Sequence, residues 1–341
     1  MSEKYARFDE SHARVRPSGG TRPRSKDRPS HSDAVRAFVT TVDRGRITCV
    51  LENGDEITAT TARELGRKSV VVGDYVGVVG DVSGKDGSLG RIVTIQERRN
   101  TLSRSIDDVA KVERTIVANI DQIVIVVAAA NPEPRRGLID RFLVCAFHEN
   151  IQPVILITKI DIAAMPDFMS EYEVLGIPIL QKSKDGPLKE IQDLLAEKKS
   201  VLVGHSGVGK STLINQLIPA ALRATGIVNE STGRGRHTSS SAIALPLEGT
   251  TSGSENSGWI IDTPGIRAFG LAHIDPERIL GAFPELYEVS QTCMSNCSHQ
   301  GSDCAIATWA SAATGREGEI RIARLESLRT LLDTKLDVTL D

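Results

Sequence analysis

The chain has 341 residues, enough for two or three domains that each bury a core. Its 41 basic and 44 acidic residues leave a net charge of −3, so no global polycation argument for nucleic-acid binding holds. No apolar stretch approaches the roughly 20 residues of a membrane span, and the amino terminus lacks the apolar core of a signal peptide. The expectation is a soluble, cytoplasmic monomer with no membrane partner.

Residues 1–33 read as a basic tail. Lys4, Arg7, Arg14, Arg16, Arg22, Arg24, Lys26 and Arg28 stand against Glu3, Asp9, Glu10 and Asp27, among Pro, Ser and Gly. With almost nothing apolar to bury, the segment is expected to be disordered. It is either a solvated leader or an arm that docks on phosphate backbone by counterion release.

From 34 to 100 the pattern changes to short β-type runs split by turn signals. Runs at 37–42, 46–51, 57–60, 75–79 and 90–95 are punctuated by Asp43-Arg44-Gly45 and by Glu52-Asn53-Gly54-Asp55, an Asn-Gly hairpin signal. Five short strands suit a small closed barrel of the oligonucleotide-binding (OB) type, although SH3-like barrels share the pattern. Phe38 and Tyr75 are the aromatics here, too few for a base-stacking platform. RNA contact would rest on Arg44, Arg46, Arg63, Arg67, Lys68, Arg91, Arg98 and Arg99, each of which taken singly reads more readily as ordinary solvated surface.

Residues 101–285 read as an α/β domain. Buried strands at 123–128, 154–157, 177–180, 201–203 and 259–261, with helical spacing at 138–149 and 212–217, predict a doubly wound parallel sheet. Between 225 and 241 lies a Gly/Ser/Thr/Arg stretch without periodicity; segments of that kind are mobile and functional, or disordered.

The chemistry sits on this frame. Thr158-Lys159-Ile160-Asp161 follows the strand at 154–157. A carboxylate at Asp161 can accept both the ring N–H and the exocyclic amine of guanine, a pair adenine does not offer. Lys159 would lay its methylenes along the base. Thr158 stands where asparagine is usual, which removes one hydrogen-bonding side chain, and Ser183 is a candidate for a second guanine-contacting loop. Gly204-His205-Ser206-Gly207-Val208-Gly209-Lys210-Ser211 follows an apolar strand and opens a helix at Thr212, the context a phosphate-binding loop requires. Its glycines let backbone N–H groups close on phosphates. Lys210 is expected on the β and γ phosphates and Ser211 on Mg²⁺. Asp262 ends the strand at 259–261, where it can meet the Mg²⁺ shell, and Pro264-Gly265 turns the chain so that the Gly265 N–H can sense the γ phosphate. Ile266 follows, where Ras-like enzymes place a glutamine that orients water. The catalytic polar group must then come from elsewhere. His237 is the candidate, with Thr238 as the switch threonine for Mg²⁺; a lone histidine in a polar loop is as readily idle.

Cys293, Cys297, His299 and Cys304 supply three thiolates and an imidazole, a closed tetrahedral set suited to structural Zn²⁺. Cys49 and Cys145 sit in apolar segments and should pack as small hydrophobes. Residues 286–341 read as this zinc loop followed by helices at 305–313 and 319–334, the last with Leu325, Leu328, Leu331 and Leu332 on its apolar face.

The base-reading motif precedes the phosphate loop, the reverse of an ordinary GTPase. This rotated order, with Gly233-Arg234-Gly235-Arg236-His237-Thr238, Asp262-Thr263-Pro264-Gly265-Ile266 and the Cys/His loop, resembles the RsgA (YjeQ) family of circularly permuted GTPases over about residues 34–335. The resemblance implies an OB-type barrel, a permuted P-loop GTPase domain and a zinc-binding helical domain. It further implies GTP/GDP, Mg²⁺ and one Zn²⁺, and slow GTP hydrolysis stimulated by the small (30S) ribosomal subunit, with binding to its rRNA late in maturation. Thr158 and cysteine gaps about one residue short of the family spacing are departures. Two rivals share part of the pattern. A P-loop small-molecule kinase accounts for 204–211 but not for Lys159-Ile160-Asp161 or the cysteine loop. A nucleotide-switched RNA-binding scaffold without significant turnover draws support from Ile266.

Overall fold

Alternation along the first strands divides the chain's interior. In β1 (Val35–Asp43) and β2 (Arg46–Leu51), Ala37, Val39, Cys49 and Leu51 enter one core, whereas Phe38 and Val50 enter another. The first core is a barrel closed by β3 (Glu56–Thr61), β4 (Tyr75–Gly80) and β5 (Gly90–Ile95), which add Ile57, Ala59, Val76, Val78 and Ile92. The strands run β1-β2-β3-β5-β4 and return to β1, with β3 and β5 parallel and the other pairs antiparallel. This closed five-stranded order is OB-like. The Asn-Gly signal works as expected between β2 and β3. Gly54, at φ +89°, donates to Leu51, and Asp55 accepts from the Leu51 N–H at 2.9 Å, a three-residue loop that needs the left-handed glycine.

The computed structural model describes residues 31–43, 45–66, 69–105, 113–174, 176–219, 242–247, 258–263 and 274–336. The tail at 1–30, Arg44, Arg67, Lys68, the stretch 225–241 with His237 and Thr238, and Pro264, Gly265 and Ile266 lie outside the described residues.

Phe38 and Tyr75, the barrel's aromatics, are spent on packing rather than on a binding face. Phe38 lies 5.0 Å from the Trp259 ring and 5.4 Å from Tyr75, tilted against both. Arg98 and Arg99 are likewise committed. The Arg98 guanidinium donates twice to the fully buried Asp74, at 2.7 and 2.9 Å, and Arg99 donates to Asp121 at 2.7 Å. Neither belongs among free RNA-contacting cations. A two-stranded sheet of β6 (Thr101–Ser105) and β7 (Glu113–Ala118), which the sequence pattern did not signal, follows the barrel.

Beyond it, β8 (Gln122–Ala128), β9 (Gln152–Thr158), β10 (Ile179–Lys182), β11 (Lys199–Val203) and β13 (Trp259–Asp262) run parallel in the order β10-β9-β8-β11-β13. β12 (Ile243–Pro246) is antiparallel to β13 and bridges to β1 through Thr41 and Ile243. β8 is buried along its whole length because both faces are covered. Ile123, Ile125 and Val127 face α1 (Arg136–His148); the short α2 (Ser170–Val174) follows β9. Val124, Val126 and Ala128 share a core with residues of α3 (Lys189–Leu195) and α4 (Lys210–Leu217).

α1 is buried on nearly every side, at Ile139, Phe142, Leu143, Val144, Cys145 and Ala146. The sheet covers one side; α5 (Pro276–Gly281) and α8 (Gly315–Leu336) cover the other. α6 (Pro284–Ser290) and α7 (Ala305–Ala312) complete the carboxy-terminal layer. As expected, Leu325, Leu328, Leu331 and Leu332 form its buried face, and Cys49 and Cys145 are core residues. No helix among the described residues is long and apolar enough to cross a membrane.

Candidate nucleotide site and metal centre

The parallel strands end at one edge of the sheet, and every candidate nucleotide residue among the described ones lies at or just after such an end: Thr158 ends β9 and Lys159 and Asp161 follow it, Ser183 follows β10, Gly204 to Thr212 follow β11, and Asp262 ends β13. In open α/β sheets that edge is where ligands bind. Because the strand ends assemble there whatever the order of the connections, rotation of the chain leaves the site intact.

The phosphate loop is held in a conformation that only glycine tolerates. Gly204 has φ +141°, and a Cβ there would lie 2.2 Å from the Val126 carbonyl oxygen. Gly209, at φ +102°, starts α4, whose amino terminus favours an anion. His205, Ser206, Gly207, Ser211 and Thr212 are exposed, whereas Val208 is buried beneath them. The Lys210 ammonium donates to the carbonyls of Gly204 at 2.7 Å and His205 at 2.9 Å. Burial pushes the Lys210 pKa down and the Asp262 pKa up, and each group's charge partly offsets the shift in the other. A cation and a carboxylate beside a glycine-shaped loop, with the Ser211 hydroxyl next in sequence, is a donor set that fits a Mg²⁺-bound nucleotide.

The residues at the end of β9 meet the same loop. Thr158 is buried, and its hydroxyl lies 2.5 Å from the Val208 carbonyl and 3.3 Å from that of Val127. Thr158 therefore keeps a hydrogen-bonding role, although an asparagine is missing. Lys159, at φ +60°, turns the chain out of β9, and its ammonium donates to the Asn131 carbonyl. Asp161 accepts the Lys184 N–H at 2.9 Å, so the loop carrying Ser183 is docked on the Asp161 carboxylate.

Two residues behind this arrangement gave no sequence signal. The Lys182 side chain is buried and its ammonium donates to the carbonyls of Ser183 at 2.6 Å, Lys184 at 3.1 Å and Gly186 at 2.8 Å, which folds the loop around itself. Gln216 of α4 donates to the Lys184 carbonyl at 2.9 Å. A lysine in a strand and a glutamine on a helix read as solvated surface.

The cysteine loop closes as its composition predicts. The ligand atoms of Cys293, Cys297, His299 and Cys304 lie within 4.8 Å of one another. Cys293 Sγ is 3.7 Å from Cys304 Sγ and 3.7 Å from His299 Nδ1; Cys304 Sγ is 3.5 Å from the same nitrogen. Ligands of a tetrahedral zinc ion stand about 3.5–3.8 Å apart. Cys293, His299 and Cys304 have that spacing, and Cys297 joins them as a fourth donor within 4.8 Å. Asn296 and His299, both at φ +61°, make the tight bends that the short cysteine spacing demands. Arg329 of α8 donates to the carbonyls of His299 at 3.0 Å and Gly301 at 2.9 Å and clamps the loop from behind. Burial lowers the His299 pKa, which favours the neutral imidazole that coordinates metal.

Known proteins share this arrangement. The profile of the RsgA GTPase family matches residues 95–272. A Marinobacter nauticus protein named "Small ribosomal subunit biogenesis GTPase RsgA" is 36% identical over 260 residues, covering 73% of this chain and 70% of the relative. Its namesake from Chlorobaculum parvum is 34% identical over 305 residues, covering 84% of this chain and 94% of the relative. Among solved structures, YjeQ from Thermotoga maritima is similar with a TM-score of 0.64 and 26% identity, over 89% of this chain and 98% of that one. YloQ, described as a circularly permuted GTPase, shares the fold with a TM-score of 0.60 and 24% identity, over 91% and 98%. A permuted nucleotide sheet, an OB-like barrel and a Cys₃His loop in one chain, with relatives that span most of it, leave one assignment: the chain belongs to the RsgA GTPase family and is a GTP hydrolase.

Proposed function

We propose that this GTPase is stimulated by the small (30S) ribosomal subunit, contacts its rRNA, and acts in the late maturation of that subunit as a cytoplasmic monomer. The names of its relatives support the partner. The observation that carries the reading of the site is the meeting of Asp161, the 183–186 loop, the phosphate loop and Asp262 at one sheet edge.

In this reading Asp161 selects guanine, with Lys159 and Ser183 beside the base, and Gly204 to Thr212 enclose the phosphates. Lys210 bears on the β and γ phosphates and stabilises charge that develops as the terminal bond breaks. Ser211, Thr238 and Asp262 hold Mg²⁺, which when bound neutralises phosphate oxygen charge. Gly265 senses the γ phosphate through its N–H, and His237 orients the attacking water in place of the absent glutamine. Cys293, Cys297, His299 and Cys304 hold one structural Zn²⁺. We divide the chain into a tail (1–33), a barrel (34–100), the GTPase domain (101–285) and the zinc-binding helical domain (286–341).

Turnover of GTP and ATP, each with and without purified small ribosomal subunits, tests the proposal. Stimulation restricted to GTP is expected. Turnover of either nucleotide that subunits leave unchanged would contradict the proposed partner.

A further inference from the structure

Thr158 has a task that its hydrogen count makes exclusive. A hydroxyl carries one hydrogen. At 2.5 Å from the Val208 carbonyl, against 3.3 Å to that of Val127, that hydrogen is committed to the phosphate loop. The rest of the side chain is turned the same way: a Cβ placed on Gly209 would lie 3.8 Å from its Oγ1 and 3.9 Å from its Cβ and Cγ2. Thr158 is 6% exposed and held at the end of β9, where its own carbonyl accepts the Ala129 N–H at 2.9 Å.

Guanine presents acceptors at N7 and O6 and donors at its ring N–H and exocyclic amine. The donors are met by Asp161. To reach N7 or O6, the Thr158 hydroxyl would have to release Val208 and leave that buried carbonyl without its partner, which is costly. An asparagine amide has two hydrogens and could serve a carbonyl and a base acceptor together. A threonine cannot.

We infer that Thr158 is a positioning residue that ties the base-reading strand to the phosphate loop and leaves N7 of guanine unread by this side chain. The inference rests on the proposed guanine-reading role of Asp161. Its consequence is a specificity set by the carboxylate, with tolerance at the imidazole edge of the base.

The test is displacement of a fluorescent GDP analogue from the full chain by GDP, 7-deaza-GDP and ADP, for the wild type and for Thr158→Val, Thr158→Ser and Thr158→Asn. The wild type should bind GDP and 7-deaza-GDP within about twofold of each other and discriminate against ADP. Thr158→Val should weaken GDP and 7-deaza-GDP alike, by about five- to tenfold, the scale of one buried hydrogen bond. Thr158→Ser, which keeps the hydroxyl, should rescue both. Thr158→Asn should create a preference for GDP over 7-deaza-GDP. A wild type that loses about tenfold on 7-deaza-GDP, with the loss kept in Thr158→Ser and abolished in Thr158→Val, overturns the inference. Equal wild-type binding of ADP and GDP overturns the guanine reading itself, and the assignment of Thr158 with it.

Discussion

Asp161 accepts the main-chain N–H of Lys184 at 2.9 Å, across 23 positions of sequence. The carboxylate proposed to read the base is thus fixed by the loop that follows the neighbouring strand, not by its own. Pairing of β9 with β10, in the register Thr158 to Lys182, brings the two loops together. Preorientation of this kind lowers the ordering cost of binding.

Lys182 makes that loop. Replacing it by methionine leaves three carbonyls without their shared donor and frees the Lys184 N–H from its alignment. Lys182→Met should weaken GDP binding about tenfold and reduce the ratio of GDP to ADP affinity with it. An unchanged ratio, measured by competition, would contradict the role of Lys182 in base selection.

The cysteine loop should hold one zinc ion per chain, measurable by atomic absorption. Cys297→Ala removes one of four ligands. We expect zinc loss, a fall in thermal midpoint of more than about 4 °C, and a greater loss of subunit-stimulated hydrolysis than of GDP binding. Equal loss of both would argue against a role for the cysteine loop in subunit-stimulated turnover.

Thiol chemistry gives a separate check. Burial pushes the Cys49 pKa up to about 12, so at pH 8 only about one molecule in 10⁴ carries the reactive thiolate. A disulfide reagent at pH 8 should leave Cys49 unmodified in the folded protein. Removal of zinc should expose Cys293, Cys297 and Cys304 to it. Rapid Cys49 labelling before unfolding would show that the barrel core opens.

The carboxy-terminal helix is locked to α1 by a buried polar cluster. Arg324 donates to Asp140 at 3.3 Å and Glu285 at 2.8 Å; Tyr172 donates to Asp140 at 3.0 Å, and Ser327 also donates to it. Burial raises the Asp140 pKa, and Arg324 is the largest force opposing that rise. A raised carboxylate pKa means stability that is present at low pH and lost as pH rises through the folded value. Arg324→Met removes the opposing charge and extends that window upward. The variant should lose about 3–5 kcal/mol at pH 8 and less at pH 5, by urea unfolding. The same loss at both values would contradict the opposition of Arg324 to the Asp140 pKa rise.

Much of this was legible because the physics was local. Alternating apolar runs placed the barrel strands, near-continuous ones placed β8 and β9, and glycine spacing marked the phosphate loop. The ligands of the zinc loop lie close together in sequence, so composition sufficed. What stayed hidden depends on partners far away in the chain. The duty of Arg98 appears only once Asp74 is buried beside it, and that of Lys182 only once its loop closes. The strand at 177–180 appears two residues later, as Ile179–Lys182, because pairing with β9 rather than apolarity sets its limits. The barrel type, too, was ambiguous until the parallel β3–β5 pair fixed the order of closure.

Asp161 is proposed to read guanine, and exchanging its chemistry tests that role most directly. Asparagine offers a donor in place of one acceptor and so matches xanthine, which has a carbonyl where guanine has its exocyclic amine. Hydrolysis of GTP and of xanthosine triphosphate should be measured for the wild type and Asp161→Asn. We predict that the wild type favours GTP by about 10- to 100-fold, the scale of a charged hydrogen bond, and that the variant reverses the preference. A variant that still favours GTP would contradict the assignment of Asp161.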